Sequence, residues 1–198
     1  MNFWDTRFNQ EEYLFGKQPA AALVKYKNLL IPRGETLVVA DGEGRNSVYL
    51  ANKGFKVSAT DYSKIAVKKA KKLAQEKNVW VNFQMRNIYD INVNTKIYDN
   101  VIAIFIQFVP PPQITSVLKS LYKLTKIGGT LLIHGYTPEQ VKLGTGGPPD
   151  SEHMYIKLML AKIFSEGKIL VNREYQNHIS EGKEHNGQSA LIDFVLRI

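Results

Sequence analysis

Two glycines one residue apart, in Gly42-Glu43-Gly44, follow the apolar run Leu37-Val38-Val39-Ala40. Asp61 ends the next expected strand, Lys56-Val57-Ser58-Ala59-Thr60, seventeen residues after Gly44. Glycine lets the backbone approach a ligand where a Cβ would collide with it. A carboxylate at the tip of the neighbouring strand can accept both hydroxyl hydrogens of a ribose. Together the turn and the acid predict a site for a nucleoside cofactor.

A dinucleotide turn would carry a third glycine in G-x-G-x-x-G. Here Arg45-Asn46-Ser47-Val48 follow Gly44 instead, which argues against a nicotinamide oxidoreductase. The chain has no cysteine, so disulfides, thiolate metal sites and a cysteine nucleophile are excluded. Asp90 and Asp99 flank the approach to a long apolar run but lack a third ligand, so no metal is expected.

Several elements must position these groups. The order of helical and extended segments alternates, as in a parallel sheet with helices on both faces. Strands are expected at 36–40, 56–60, 79–85, 98–106 and 130–134. The fourth contains Val101-Ile102-Ala103-Ile104-Phe105-Ile106, apolar enough to be buried on both faces. Helices are expected at 19–30, from near Arg45, from Ser63 as N-cap, from Pro110-Pro111-Pro112 to Leu124, and from Asp150 or Ser151 to Ser165. Gly128-Gly129 is expected to turn the chain into strand five. A loop rich in glycine and proline covers 135–149, and two closing strands, near 168–179 and 189–198, form an antiparallel hairpin. The fold class is therefore α/β: a Rossmann-like, doubly wound, seven-stranded and mostly parallel sheet.

The 198 residues suit one folded unit, and their net charge is +8. Much of that charge falls on Lys64, Lys68, Lys69, Lys71, Lys72 and Lys77, opposite an apolar stripe, the pattern of a solvated helix face. No companion patch joins arginines to stacking aromatics, so nucleic acid is not the expected partner. No apolar stretch reaches the ~20 residues of a membrane helix. The opening Met1-Asn2-Phe3-Trp4-Asp5-Thr6-Arg7 lacks a signal-peptide core, which makes the cytoplasm the expected compartment.

The string Gly42-Glu43-Gly44-Arg45-Asn46, Tyr49-Leu50-Ala51, Gly54-Phe55-Lys56-Val57, Asp61-x-Ser63 resembles the first two motifs of the class I S-adenosylmethionine (SAM) methyltransferases. More narrowly, it is similar to the small-molecule branch with the tellurite-resistance, thiopurine and thiol methyltransferases. Trp4-Asp5-Thr6-Arg7-Phe8 and Glu12-Tyr13-Leu14-Phe15-Gly16 resemble its N-terminal cap, placing residues 1–30 over the active site. Further likenesses are Lys126-Ile127-Gly128-Gly129, Thr145-Gly146-Gly147-Pro148 and Glu181-Gly182-x-x-His185-x-Gly187.

The resemblance implies SAM as cofactor and S-adenosylhomocysteine (SAH) as product. It implies that Gly42, Glu43 and Gly44 lie against the methionine and ribose, Asp61 on the ribose hydroxyls and Tyr62 near the adenine. Asn87 should meet the adenine amino group and Gln107 the methionine side; Asn46 and Ile88 complete the cofactor set. Val38 stands where the family has an acid and Ala40 where it has a glycine, so Asp41 or Glu43 is left to meet the methionine ammonium. Each residue also has a structural reading: a strand–helix turn for the glycines, a helix cap for Asp61, a turn for Asn87 and an exposed loop for Gln107.

For the acceptor, Tyr13, His134 and His185 are the candidate proton acceptors, and Arg7, Phe15 and Tyr136 the candidate substrate contacts. Phe15 and Tyr136 could equally be packing residues, and both histidines simple hydrogen-bonding groups. Gln107-Phe108-Val109-Pro110 is not the Asn/Asp-Pro-Pro-aromatic motif of amino-group methylation. A small soft nucleophile, a thiol, selenium or tellurium species, is the expected acceptor. The competing readings are a methyltransferase acting on RNA or protein through the basic surface, and a non-catalytic SAM-binding protein. Oligomeric state is not legible.

Overall fold

The computed structural model describes residues 2–90 and 97–198. The strands are β1 (Glu35–Val39), β2 (Lys56–Asp61), β3 (Asn82–Met85), β4 (Tyr98–Ile104), β5 (Thr125–Tyr136), β6 (Lys168–Ser180) and β7 (Asn186–Arg197). They form one seven-stranded sheet in the order β3-β2-β1-β4-β5-β7-β6. Pairing from β3 to β5 is parallel, and β7 runs antiparallel to both β5 and β6. The α/β fold class is as expected.

Helices α1 (Phe3–Phe8), α2 (Ala21–Tyr26), α3 (Arg45–Asn52), α4 (Lys64–Glu76), α5 (Pro111–Leu124), α6 (Gln140–Leu143) and α7 (Lys157–Ile163) complete the framework. Alternation along β1 sends Leu37 and Val39 into a core with Leu118, Leu121 and Phe194. It sends Val38 into the other core, with Leu23 and Leu50. Fully burying such a side chain stabilises by about 1.5–3 kcal/mol. An acid at position 38 would be stranded there, which accounts for Val38.

Ser63 caps α4 as expected, its Oγ accepting from the Ala66 N–H at 3.1 Å. Proline fits the first turn of α5, where its missing N–H costs nothing. Gly128-Gly129 does not precede the fifth strand but lies inside it. The Thr125 Oγ1 donates to the Leu121 carbonyl at 3.0 Å and closes α5, so Thr125 already pairs with Tyr98 before a bulge. The expected helix over 150–165 is split into a 3-10 turn, Ser151–His153, and α7. The loop over 135–149 contains α6, and the third strand is only four residues long.

Candidate active site

A cavity of about 560 Å3 opens where β1, β2, β3 and β4 end. At one end lie Gly42, Asp61, Tyr62, Asn87 and Ile88. Gly42 has φ of 62°, and its N–H donates to Asp61 Oδ2 at 2.8 Å. Asp61 Oδ1 accepts from the Ser63 N–H at 2.8 Å. Burial pushes the Asp61 carboxyl up, against the pull of those backbone bonds. The Tyr62 N–H also bonds this carboxylate, and of its about four lone-pair sites one remains for a ligand hydroxyl. Asn87 Oδ1 accepts from the Tyr89 N–H at 3.2 Å, so this residue shapes the turn as well as lining the cavity.

Asp41 lines the cavity but turns toward α3, accepting from the Ser47 hydroxyl and, at 3.3 Å, from the Ser47 N–H. Burial raises its carboxyl to about 7. Glu43 does not line the cavity: its carboxylate accepts from the Leu14 N–H at 2.7 Å and pairs with Lys69 Nζ at 2.5 Å. Gly44 is also outside, because α4 packs on it; a Cβ there would come within 2.8 Å of Ala70 Cβ. Asn46 lines the cavity and accepts from the Ala20 N–H at 2.9 Å. Part of the motif thus holds the N-terminal segment.

The other end of the cavity is walled by aromatic rings. His185 packs on Phe105 at 4.2 Å and Phe15 at 4.6 Å, with Tyr136 edge-on at 5.7 Å. Phe105 holds φ of 54°, a left-handed conformation costly for a bulky residue. Among the described residues, the buried Tyr136 hydroxyl and His185 Nδ1 have no hydrogen-bond partner. Burial, with Arg45, His134 and Arg7 nearby, holds the His185 pKa well below the usual imidazole range. Desolvation likewise pushes the Tyr136 phenol up.

Gln107 is buried rather than in an exposed loop, and both ends of its amide bond the Tyr136 backbone, at 2.6 and 2.8 Å. Two expected proton acceptors do not line the cavity. Tyr13 donates its hydroxyl to the Lys69 carbonyl at 3.1 Å. His134 Nδ1 bonds Asp193 Oδ1 at 2.8 Å, and its ring packs edge-on against Phe105.

Arg7 does line the cavity, paired with Glu184 at 2.5 Å. Arg45, Trp4, Phe8 and Phe108 line it too; the sequence places Trp4 and Phe8 in the cap and Arg45 in the glycine motif, but marks none of the four as a contact residue. Arg45 pairs with Glu181 at 2.8 Å, and both side chains are buried. Its place directly after Gly44 was the available signal. Among the described residues, no cluster of His, Asp or Glu could hold a metal ion, and no helix is long and apolar enough to cross a membrane.

Residues 37–129 match a family model described as a methyltransferase domain. Those residues carry a methyltransferase domain. This is the family expected from Gly42, Gly44 and Asp61. Among solved structures, the chain is similar to one from work on converting a disulfide bond into a thioacetal group during echinomycin biosynthesis. That likeness has a TM-score of 0.78 and 18% identity, covering 98% of this chain and 89% of the other. TehB from Haemophilus influenzae gives a TM-score of 0.73 and 16% identity; the alignment covers 98% of this chain and 65% of TehB. Magnesium protoporphyrin IX methyltransferase from Synechocystis PCC 6803, solved with SAH, gives 0.64 and 21%, covering 90% and 79% of the two chains. No curated protein matches the methyltransferase domain chain in sequence.

Proposed function

We propose that this methyltransferase moves the methyl group of SAM to a small-molecule acceptor that is a soft nucleophile: a thiol, selenium or tellurium species. In this reading residues 1–198 act as one catalytic unit and residues 1–30 as its cap. SAM fits the site because Gly42 offers a backbone cradle and the Asp61 carboxylate lines the cavity with acceptor capacity left. Asp61 would hold the ribose and Tyr62, Asn87 and Ile88 the adenine. When bound, SAM supplies a methyl group made electrophilic by its sulfonium.

The observation that carries the acceptor class is the weakness, among the described residues, of the bases at the aromatic end. His185 is a poor proton acceptor, because burial and the neighbouring positive charges oppose its imidazolium. The Tyr136 phenol is held protonated, and Glu184 is paired with Arg7. A nucleophile that must lose a tightly held proton gets little help there, whereas a soft one ionised near neutral pH needs little. His185 Nδ1 and the Tyr136 hydroxyl then orient the acceptor, and the rings exclude water. The relative from echinomycin biosynthesis is also concerned with sulfur. Against a macromolecular acceptor, Lys69 of the lysine-rich helix is engaged with Glu43 and the cap rather than with solvent.

The test is calorimetric titration with SAH of the wild type and of Asp61→Ala, followed by turnover on a panel of thiols and selenols beside amines and RNA. Micromolar SAH binding that is lost in the variant, with methylation confined to the soft acceptors, is the expected result. Turnover on RNA with a steep salt dependence would replace this reading with the macromolecular one. SAH binding without turnover on any acceptor would favour a non-catalytic protein.

A further inference from the structure

The acceptor end of the cavity holds two guanidinium groups with different commitments. Arg45 is spent: it is buried, paired with a buried Glu181 and bonded to the Phe15 carbonyl at 3.3 Å. Arg7 is not. Its guanidinium lies 5.5 Å from the Trp4 ring and 5.7 Å from the Phe3 ring, which fixes where the charge sits. Its carboxylate partner, Glu184, comes from the loop between β6 and β7 and also lines the cavity. Both side chains of this pair are partly exposed, at 33% and 44%, and pairs of that kind contribute little to stability.

We infer that the acceptor carries an anionic group, a carboxylate, that binds Arg7 by displacing Glu184, while the rest of the molecule reaches Tyr136 and His185. This rests on the proposed function and adds the recognition handle. Glu184 is a placeholder: it keeps the Arg7 charge paired until an anion arrives from inside the cavity. A carboxylate matches the planar guanidinium with two parallel hydrogen bonds, and binding in a water-poor cavity strengthens them. Arg7 already acts on the His185 ring, one of the causes of its lowered pKa, so handle and polar end belong to one space. The two unpartnered buried atoms, Tyr136 Oη and His185 Nδ1, mark where the opposite end of the ligand is received.

The experiment saturates the protein with SAH, confirmed by calorimetry, and then titrates 4-mercaptobenzoate and 4-mercaptobenzamide, which are matched in size. The acid should bind at least about tenfold more tightly than the amide, the scale of a charge-assisted bond. Arg7→Gln should abolish that preference, and Glu184→Gln should increase it several-fold by removing the competitor. A merely structural ion pair would give loss in both variants, so opposite shifts distinguish the two roles. Equal affinity for acid and amide, or a preference that falls in Glu184→Gln, overturns the inference, as does failure of both probes to bind the SAH complex. Failure of SAH itself to bind would instead remove the cofactor reading and this inference with it.

Discussion

Glu43 and Lys69 meet at 2.5 Å between the glycine turn and the N-terminal segment. From there Lys69 Nζ also donates to the carbonyls of Gln10 at 2.9 Å and Glu12 at 2.6 Å, while Glu43 takes the Leu14 N–H. One buried ion pair therefore organises irregular chain that has few backbone partners of its own.

Removing one member should strand the other. Lys69→Met leaves a carboxylate that is only 2% exposed without its cation, and such losses run to about 3–5 kcal/mol. Denaturant unfolding should show it, together with faster trypsin cleavage at Lys17. The double variant Lys69→Met/Glu43→Gln should lose less than Lys69→Met alone, because the stranded charge is gone.

Two positions in the turn should respond oppositely to a change of one methyl group. Gly44→Ala places a Cβ at φ of 92° and within 2.8 Å of Ala70 Cβ, and a loss of about 2–3 kcal/mol is expected. Ala40 has φ of 47°, so Ala40→Gly should be neutral or gain up to about 1 kcal/mol as strain is relieved against added chain entropy. Thermal unfolding of both variants checks the pair.

The glycine turn was legible because it is local: an apolar strand, a positive-φ residue and a helix start lie within ten positions. Asp61 was legible for the same reason, at the end of a short strand that follows Gly54. Lys69 was not. On a helical wheel it borders the apolar stripe, and periodicity cannot tell a bordering lysine in solvent from one folded under a neighbouring segment. The two histidines were also inseparable in sequence. Only the β5–β7 register sets His134 opposite Asp193, away from the cavity, while His185 falls in the loop before β7, where Phe15 and Phe105 receive it.

The contribution of Asp41 to stability should fall as pH rises from about 4 to about 7. Asp41 is raised from 3.8 to about 7, so between those values the folded chain holds a proton that the unfolded chain has released. The folded state is favoured at the acid end and loses that advantage as pH rises to about 7, levelling beyond it. Asp61 is pushed in the same direction. Asp41→Asn removes its share, so the variant should gain on the wild type by up to about 4 kcal/mol between the two ends, measured by urea unfolding.

His185 titrates well below its ordinary 6.5 and is neutral through that region. On the proposed function, kcat/KM should therefore show no step from this group near 6.5. His185→Gln should lower kcat by up to about 100-fold through misplacement of the acceptor and leave SAH affinity unchanged, since the ring orients the acceptor and lies at its end of the cavity. A pH–rate profile with a parallel SAH titration reads both.

Arg7 and Glu184 stand 177 positions apart, and Glu181, which holds Ala21 and Arg45, comes from the same late loop. During synthesis the parallel half of the sheet can form while that loop is still inside the ribosome. The N-terminal segment must then wait for partners made more than a hundred and fifty residues later. A nascent chain stalled before position 181 should hold α1 loosely, and emergence of the loop before β7 should dock that helix in one late step.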